Sequence, residues 1–438
     1  MHIRALTITC VLVIAAIGCN DDLDEQLLTA SSGDFAVLSD NYMGATSVSL
    51  LDSKGGVSKD EWVGSKTSSS KLRTPLSDDV VLPTVSSAAR YLTTIERTLG
   101  VLTRFDLESG EVLGQVRSDD SPEADEAAFH SNPQDVLYVS DESAWISRWR
   151  HNPDGDAEER ERGNDLIEWN PASFERGDRR IDLSELDEEI EEMVFDKDGK
   201  PTGTAKAIAY ASPANLVPLR DAKLVAVGIT GITLSYNYAP GKLAIVDPKN
   251  ARLVSVLALE GFSNCGEVKP VSGDATSIIV SCTGAYGDSG EHGGVLKITV
   301  NDAGKASIAR SYRNADHKDA AQLTGNVASL GGDIVVAVAA GHIDAATMRA
   351  DTTDQLLRID LESGEQTMLL ESEGAFGLGS PSFSEASGLL LVPDAGKSDD
   401  PSSGVQRFEV DAKREVKRVD FVDVAGETGL AARQVLAL

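Results

Sequence analysis

The residues with the strongest intrinsic chemistry in this chain are four cysteines, at positions 10, 19, 265 and 282. Two of them lie near the N-terminus, where the first 17 residues are largely apolar. The other two lie in Asn264-Cys265-Gly266 and Val280-Ser281-Cys282, segments separated by the turn Ser272-Gly273-Asp274. If those segments are adjacent antiparallel strands, their Cβ atoms fall within bridging range. An even pair in an exported chain reads as a disulfide, Cys265–Cys282. No other spacing announces catalysis. There is no phosphate-binding glycine loop, no G-x-S-x-G, no H-E-x-x-H and no C-x-x-C. Asp154-Gly155-Asp156 and Asp196-Lys197-Asp198-Gly199 faintly resemble calcium loops but lack the later ligands and the closing Glu, so both read as solvated turns.

The N-terminal cysteine chemistry is set by its surroundings. Residues 1–4 end in Arg4 and form a short positive segment; residues 5–17 are apolar, too short to span a bilayer and the right length for a signal peptide. The run ends in Ala16-Ile17-Gly18-Cys19 and turns polar at Asn20-Asp21-Asp22. This resembles the lipobox of bacterial lipoproteins. The resemblance implies cleavage ahead of Cys19, a diacylglyceryl thioether on its sulfur, and a bilayer as partner. Each buried methylene contributes about 0.8 kcal/mol, so two or three acyl chains hold stably. Residues 1–18 are then a signal peptide, 19–33 a lipidated cysteine with a polar stalk, and 34–438 a single domain in the extracytoplasmic cell envelope. Asn20 after the cysteine favours the outer membrane where the host has one.

The elements that must position any site come from a chain of 438 residues, 41 % hydrophobic, with a net charge of −30. That hydrophobic share suits a globular chain. The acidic surplus excludes the basic footprint that nucleic acid or an anionic membrane surface requires. Self-similarity organises the rest. Arg104-Phe105-Asp106-Leu107-Glu108-Ser109-Gly110-Glu111 matches Arg358-Ile359-Asp360-Leu361-Glu362-Ser363-Gly364-Glu365 at seven of eight positions. Looser copies begin near Ser49, Ile167, Ala244, Val295 and Val405. Each has an alternating apolar run, Asp or a substitute, a polar turn, and a second apolar run. This is the pattern of a β-hairpin whose turn Asp or Asn bonds its own backbone. Further strand-like sequence precedes most copies, giving about four short strands per unit and about 60 residues per unit.

The fold expected is all-β, a seven-bladed β-propeller of four-stranded blades. The strand Leu137-Tyr138-Val139-Ser140-Asp141, and Phe35-Ala36-Val37-Leu38-Ser39-Asp40, resemble the YVTN-type repeat of bacterial seven-bladed propellers. The unit near Phe35 lacks a first strand and residues 431–438 form a strand with no unit to follow, so the C-terminal strand is expected to complete the N-terminal blade. Three segments read as insertions: charged residues 151–164, a short acidic helix over 182–193, and a flexible loop over 65–77.

A propeller implies two places for a ligand. One is the axial channel mouth, where inner strands begin with polar groups: His130, Asn132, Asn215, Asn264, Glu267, Asn326, Ser382 and Arg433. Of these, Asn215, Asn264, Glu267 and Asn326 could hold a divalent cation, as in the lactonase-like propellers such a ring would resemble. The other place is the long loops 228–240, 284–294, 341–354 and 395–404, expected on one face, with Tyr236, Tyr238, Tyr286, His292 and His342. The leading expectation is a non-enzymatic binding scaffold for a protein or carbohydrate partner, without a cofactor. The alternative is a metal-dependent hydrolase or lyase with its site on the axis.

Overall fold

The computed structural model describes residues 34–41, 44–77, 79–86, 90–120, 129–195, 200–284, 290–317, 322–341, 343–344, 349–350, 352–396 and 403–438. They form seven four-stranded antiparallel sheets arranged as the blades of one ring. Six blades run in chain order from the axis outward. Their innermost strands are Val80–Val81, Pro133–Ser140, Pro213–Leu219, Glu267–Val271, Leu323–Gly331 and Ser382–Ser384, in blades 2 to 7. Blade 1 is composite: Phe35–Asp40, Thr46–Leu51 and Val57–Gly64 supply three strands, and the C-terminal strand Ala431–Ala437 supplies the innermost. It pairs with Phe35–Asp40 from Phe35↔Ala437 to Asp40↔Ala431. The closure expected of the chain's two ends is the closure observed.

The core is not one mass but seven wedges, each between two neighbouring blades. Between blades 4 and 5, for example, Leu243, Ile245 and Phe262 meet Val268, Ile278 and Leu296. Between blades 7 and 1, Leu391 and Val405 meet Phe35 and Val37. Middle strands therefore have both faces covered, as in Phe35–Asp40, where every residue is buried. The outermost strands face solvent, and Val416–Asp423 holds no buried residue.

All seven copies of the sequence repeat are the third strand of a blade and the turn after it. In each turn a side-chain oxygen accepts backbone N–H groups: Asp52 from Lys54 and Gly56 (both 2.9 Å), Asp106 from Ser109 (2.9 Å), Asn170 from Ala172 (2.9 Å). Asp247 accepts from Asn250 (3.1 Å), Asn301 from Ala303 (3.0 Å), Asp360 from Glu362 (2.9 Å) and Asp411 from Lys413 (2.8 Å). These turn amides hold the carboxyls of Asp52, Asp106 and Asp360 below their ordinary range. Gly110 and Gly364, both at φ 75°, close two of the turns in the left-handed region that glycine enters without strain.

One expectation is corrected. Residues 182–193 form a 3-10 turn, Ser184–Leu186, and then a strand, Glu188–Phe195, paired with Pro201–Ala209. The helical spacing of Leu183, Leu186, Ile190 and Met193 arises because the first two plug the wedge between blades 3 and 4, while the latter two lie on opposite faces of the following strand. Residues 65–77 form a loop as expected, but an anchored one: Gln115 accepts from the backbone N–H of Arg73 and Thr74 and donates to Thr74 O (2.7, 3.0 and 2.7 Å).

Candidate functional site

Inner strands all begin at one end of the channel, and at that end lies a cavity of about 520 Å³. Its walls contain Asn132, Asn215, Asn264, Glu267, Asn326 and Arg433, six of the eight inner-strand residues singled out in the sequence. Of the other two, His130 is buried beside Arg117 and Asp119 (3.5 and 3.9 Å). Ser382 lines a smaller cavity of about 180 Å³ further along the inner strands. Lys269 and Gln434 belong to the walls of both cavities and so mark the constriction between them. Loop 228–240 opens onto the same face, since its Thr230 and Tyr238 are also in the wall. Loop 228–240 thus joins the two places expected separately. Tyr236 stands out from it, 72 % exposed. His292 is exposed on its loop, with its carbonyl accepting from Ser263 N–H (3.1 Å). His342, Tyr286, Cys19 and residues 196–199 lie outside the described residues.

The charges in the wall come in pairs. Arg97 donates to Asp79 (3.0 Å from Nε) and to Gln134 (3.1 Å). Lys269 meets Glu267 Oε1 at 2.7 Å, and Arg433 lies 3.7 Å from Asp40. The second oxygen of Glu267 accepts from the Asn215 amide (2.7 Å), which in turn accepts from Thr84 Oγ1 (2.6 Å). Asn264 donates to Thr283 Oγ1. The carboxylate among the four axial candidates is therefore held on both oxygens by neighbours. Among the described residues, no group of three or more His, Cys, Asp or Glu is placed to hold a metal ion.

What remains unengaged is neutral. The Asn326 amide, the Tyr238 hydroxyl and the Trp149 indole N–H make no hydrogen bond with the described residues, and all three residues are in the wall. Burial pushes the Tyr238 phenol up, as does the neighbouring Tyr236, so its hydroxyl is a proton-bearing donor.

The wall is rigid. Cys265 and Cys282 form the expected disulfide, fully buried, and their chain neighbours Asn264, Gly266, Ser281 and Thr283 all line the cavity. The Gln434 amide accepts from Leu82 N–H (2.8 Å) and donates to Leu82 O (3.0 Å), tying the closing strand to blade 2. Asp135, wholly buried, accepts from the N–H of Thr84, Val136 and Leu216 (3.0, 2.8 and 2.7 Å), joining blades 2, 3 and 4. Burial raises its carboxyl to about 6, against the pull of those donors. The reading from sequence missed Arg97, Trp149, Lys269 and Gln434. Lys269 and Gln434 lay within reach of the argument used, each within two residues of a residue it named.

No family model matches the chain, and no curated protein matches it either. Solved structures do. A hypothetical selenium-binding protein from Sulfolobus tokodaii is similar at 10 % identity and a TM-score of 0.57, over 94 % of this chain and 96 % of that one. The periplasmic gluconolactonase PpgL of Pseudomonas aeruginosa is similar at 14 % identity and TM-score 0.49, over 92 % and 98 %. Hydrazine synthase of Kuenenia stuttgartiensis aligns at 12 % and 0.49, over 85 % and 89 %. The first likeness describes the fold, and the fold does not choose a function.

Proposed function

We propose that the protein is a non-catalytic binding module, tethered to the cell envelope through lipidated Cys19, that takes a neutral polyhydroxylated ligand, a carbohydrate, in the axial cavity. The observation that carries this is the division of labour in the wall. Arg97, Lys269 and Arg433 each stand beside a carboxylate, at 2.5, 2.7 and 3.7 Å, while the unengaged Asn326 amide and Tyr238 hydroxyl are neutral. A sugar offers matching hydroxyls, each both donor and acceptor, and an apolar ring face suited to Trp149 and Tyr238. A cavity of about 520 Å³ is within the range of small-ligand sites, roughly 300–1,000 Å³.

The test is a glycan array probed with the full chain in detergent, followed by calorimetry on any hit. Binding to a neutral glycan, weakened at least tenfold by Asn326→Ala and by Trp149→Ala, is the expected result. Elemental analysis of protein purified without chelator provides the counter-test. A stoichiometric divalent ion lost on Glu267→Gln, with no glycan bound, would replace this reading with the metal-dependent one.

A further inference from the structure

The connection between blades 3 and 4 carries a structure of its own. Glu188–Phe195 and Pro201–Ala209 pair as a two-stranded arm, from Glu188↔Ala209 to Phe195↔Pro201. The arm is held firmly against the ring. The Glu192 carboxylate accepts from Thr233 Oγ1, Asn237 Nδ2 and Ser235 Oγ (2.9, 3.0 and 3.3 Å), which belong to the loop that carries Tyr236. Lys242 donates to Glu188 (2.6 Å) and to Leu186 O (3.1 Å). At the arm's base the Tyr210 and His151 rings stack with centroids 4.0 Å apart. A surface fixed in this way loses little freedom when something binds it.

Strand alternation puts Glu188, Ile190 and Glu192 on the face toward the ring and Glu189, Glu191 and Met193 on the outer face, opposite Ile208, Lys206 and Thr204. Met193 is 51 % exposed and Ile208 42 %. Among the described residues Lys206 is the only cation on that outer face, and it stands 2.5 Å from Glu189. The two-stranded sheet has no third strand, so both edges offer unpaired backbone groups. Open edges are ordinarily blunted by lysine; this one is lined by glutamate, which repels a second copy of itself and admits a cationic strand. Beside it, Leu234 is 72 % exposed, and Tyr236, equally exposed, is held at φ 62°, an uncommon conformation for a bulky residue.

We propose that this arm docks an extended, basic segment of a protein partner as an added strand, with its alternate cations on the outer face beside Glu189 and Glu191. Backbone pairing supplies affinity in such strand addition, and alternate side chains supply selectivity. None of the arm's residues lines the axial cavity, though loop 228–240 borders both.

The probe is a ten-residue peptide of alternating Lys and Val, followed by fluorescence anisotropy with the full chain in detergent. A Glu–Val peptide of the same length is the control. Expected is binding of the Lys–Val peptide alone, weakened at least tenfold by the double reversal E189K/E191K. The same charge change at Glu362 and Glu415 on the opposite face, E362K/E415K, is expected to alter it less than twofold. Melting temperatures confirm that both variants fold. N-methylation of alternate residues blocks one edge of the peptide, so of the two such Lys–Val peptides one should lose binding and the other keep it. The proposal is overturned if the parent peptide does not bind, if both double reversals weaken it alike, or if neither N-methylated peptide loses binding.

Discussion

The two faces of the ring are built on different principles. On the face holding the third-to-fourth-strand turns, each turn satisfies its own backbone: Asp52, Asp106 and Asp360 reach amides no more than four residues away. On the cavity face, the polar groups that order the loops are far apart in sequence. Gln434 clasps Leu82, Glu61 accepts from Thr428 N–H (2.6 Å), and Asp354 accepts from the N–H of Gly341, Phe376 and Leu378 (2.7, 2.8 and 2.9 Å). The fully buried Arg148 joins Asp165 through two 2.7 Å bonds and reaches Ser118 O and Arg160 O (3.1 and 2.6 Å). On the first face the bonds that order each turn are local, although side chains of the neighbouring blade also reach turn carbonyls, as Lys59 donates to Leu107 O and Arg358 to Arg414 O (both 3.0 Å). The other is a cross-tied network, and it surrounds the candidate site. Sites that must hold side chains in fixed positions need support of the second kind.

Breaking the network should cost more than breaking a turn. Asp165→Asn leaves Arg148 without its charge partner in a site with no access to water, and Arg180, which also contacts Asp165, loses one as well. The expected loss is about 3–5 kcal/mol, read from chemical denaturation at pH 7. A loss under 1 kcal/mol would mean the cavity face is not held by buried charge.

Asp135 sharpens the contrast through pH. Its folded-state value of about 6 lies above the unfolded value of about 3.9. Between those values the folded state binds more protons, so this residue's contribution to stability rises as pH falls from 7 toward 4. Wild type should therefore gain about 2 kcal/mol on Asp135→Asn between pH 7 and pH 4.5. A difference that is flat with pH would show that the carboxylate stays ionised on its three N–H donors.

The turn face should respond weakly and with opposite sign. Asp360→Ala or Asp106→Ala is expected to cost no more than about 1 kcal/mol at pH 7, and the two costs should add, because the residues sit in blades 6 and 2. Their carboxyls are lowered in the folded state, so this stabilisation is present above the unfolded value and fades as pH falls below about 4. Double-mutant denaturation curves at pH 7 and pH 3 check both statements.

The same contrast decides what could be read in the sequence. Blade number, strand order within the hairpins and the Cys265–Cys282 bridge were legible because each depends on short-range pattern: an Asp before a polar turn, or two cysteines flanking one turn. The polar starts of inner strands were legible once the fold was, which is why Asn215, Glu267 and Asn326 were found. Trp149 and Arg97 were not, since a strand's third-to-last residue or a turn cation acquires its place only when blades meet. Leu183 and Leu186 misled for the same reason, marking a contact with blade 4 and not the face of a helix.

The seam of blade 1 fixes where the segment before residue 34 joins the ring. Inner strands run away from the cavity, so Ala437 lies at the far end, where Phe35 pairs with it and Leu438 N–H donates to Asp34 O (2.8 Å). The chain leading to Cys19 thus leaves from the turn face. Fourteen residues, 20–33, can span at most about 50 Å. If Cys19 is lipidated as proposed, a ring tied there would stand like a cup on a short stem, with its mouth turned away from the membrane. Any tug on that stem would fall on a strand gripped along both edges by its blade, leaving the mouth unloaded.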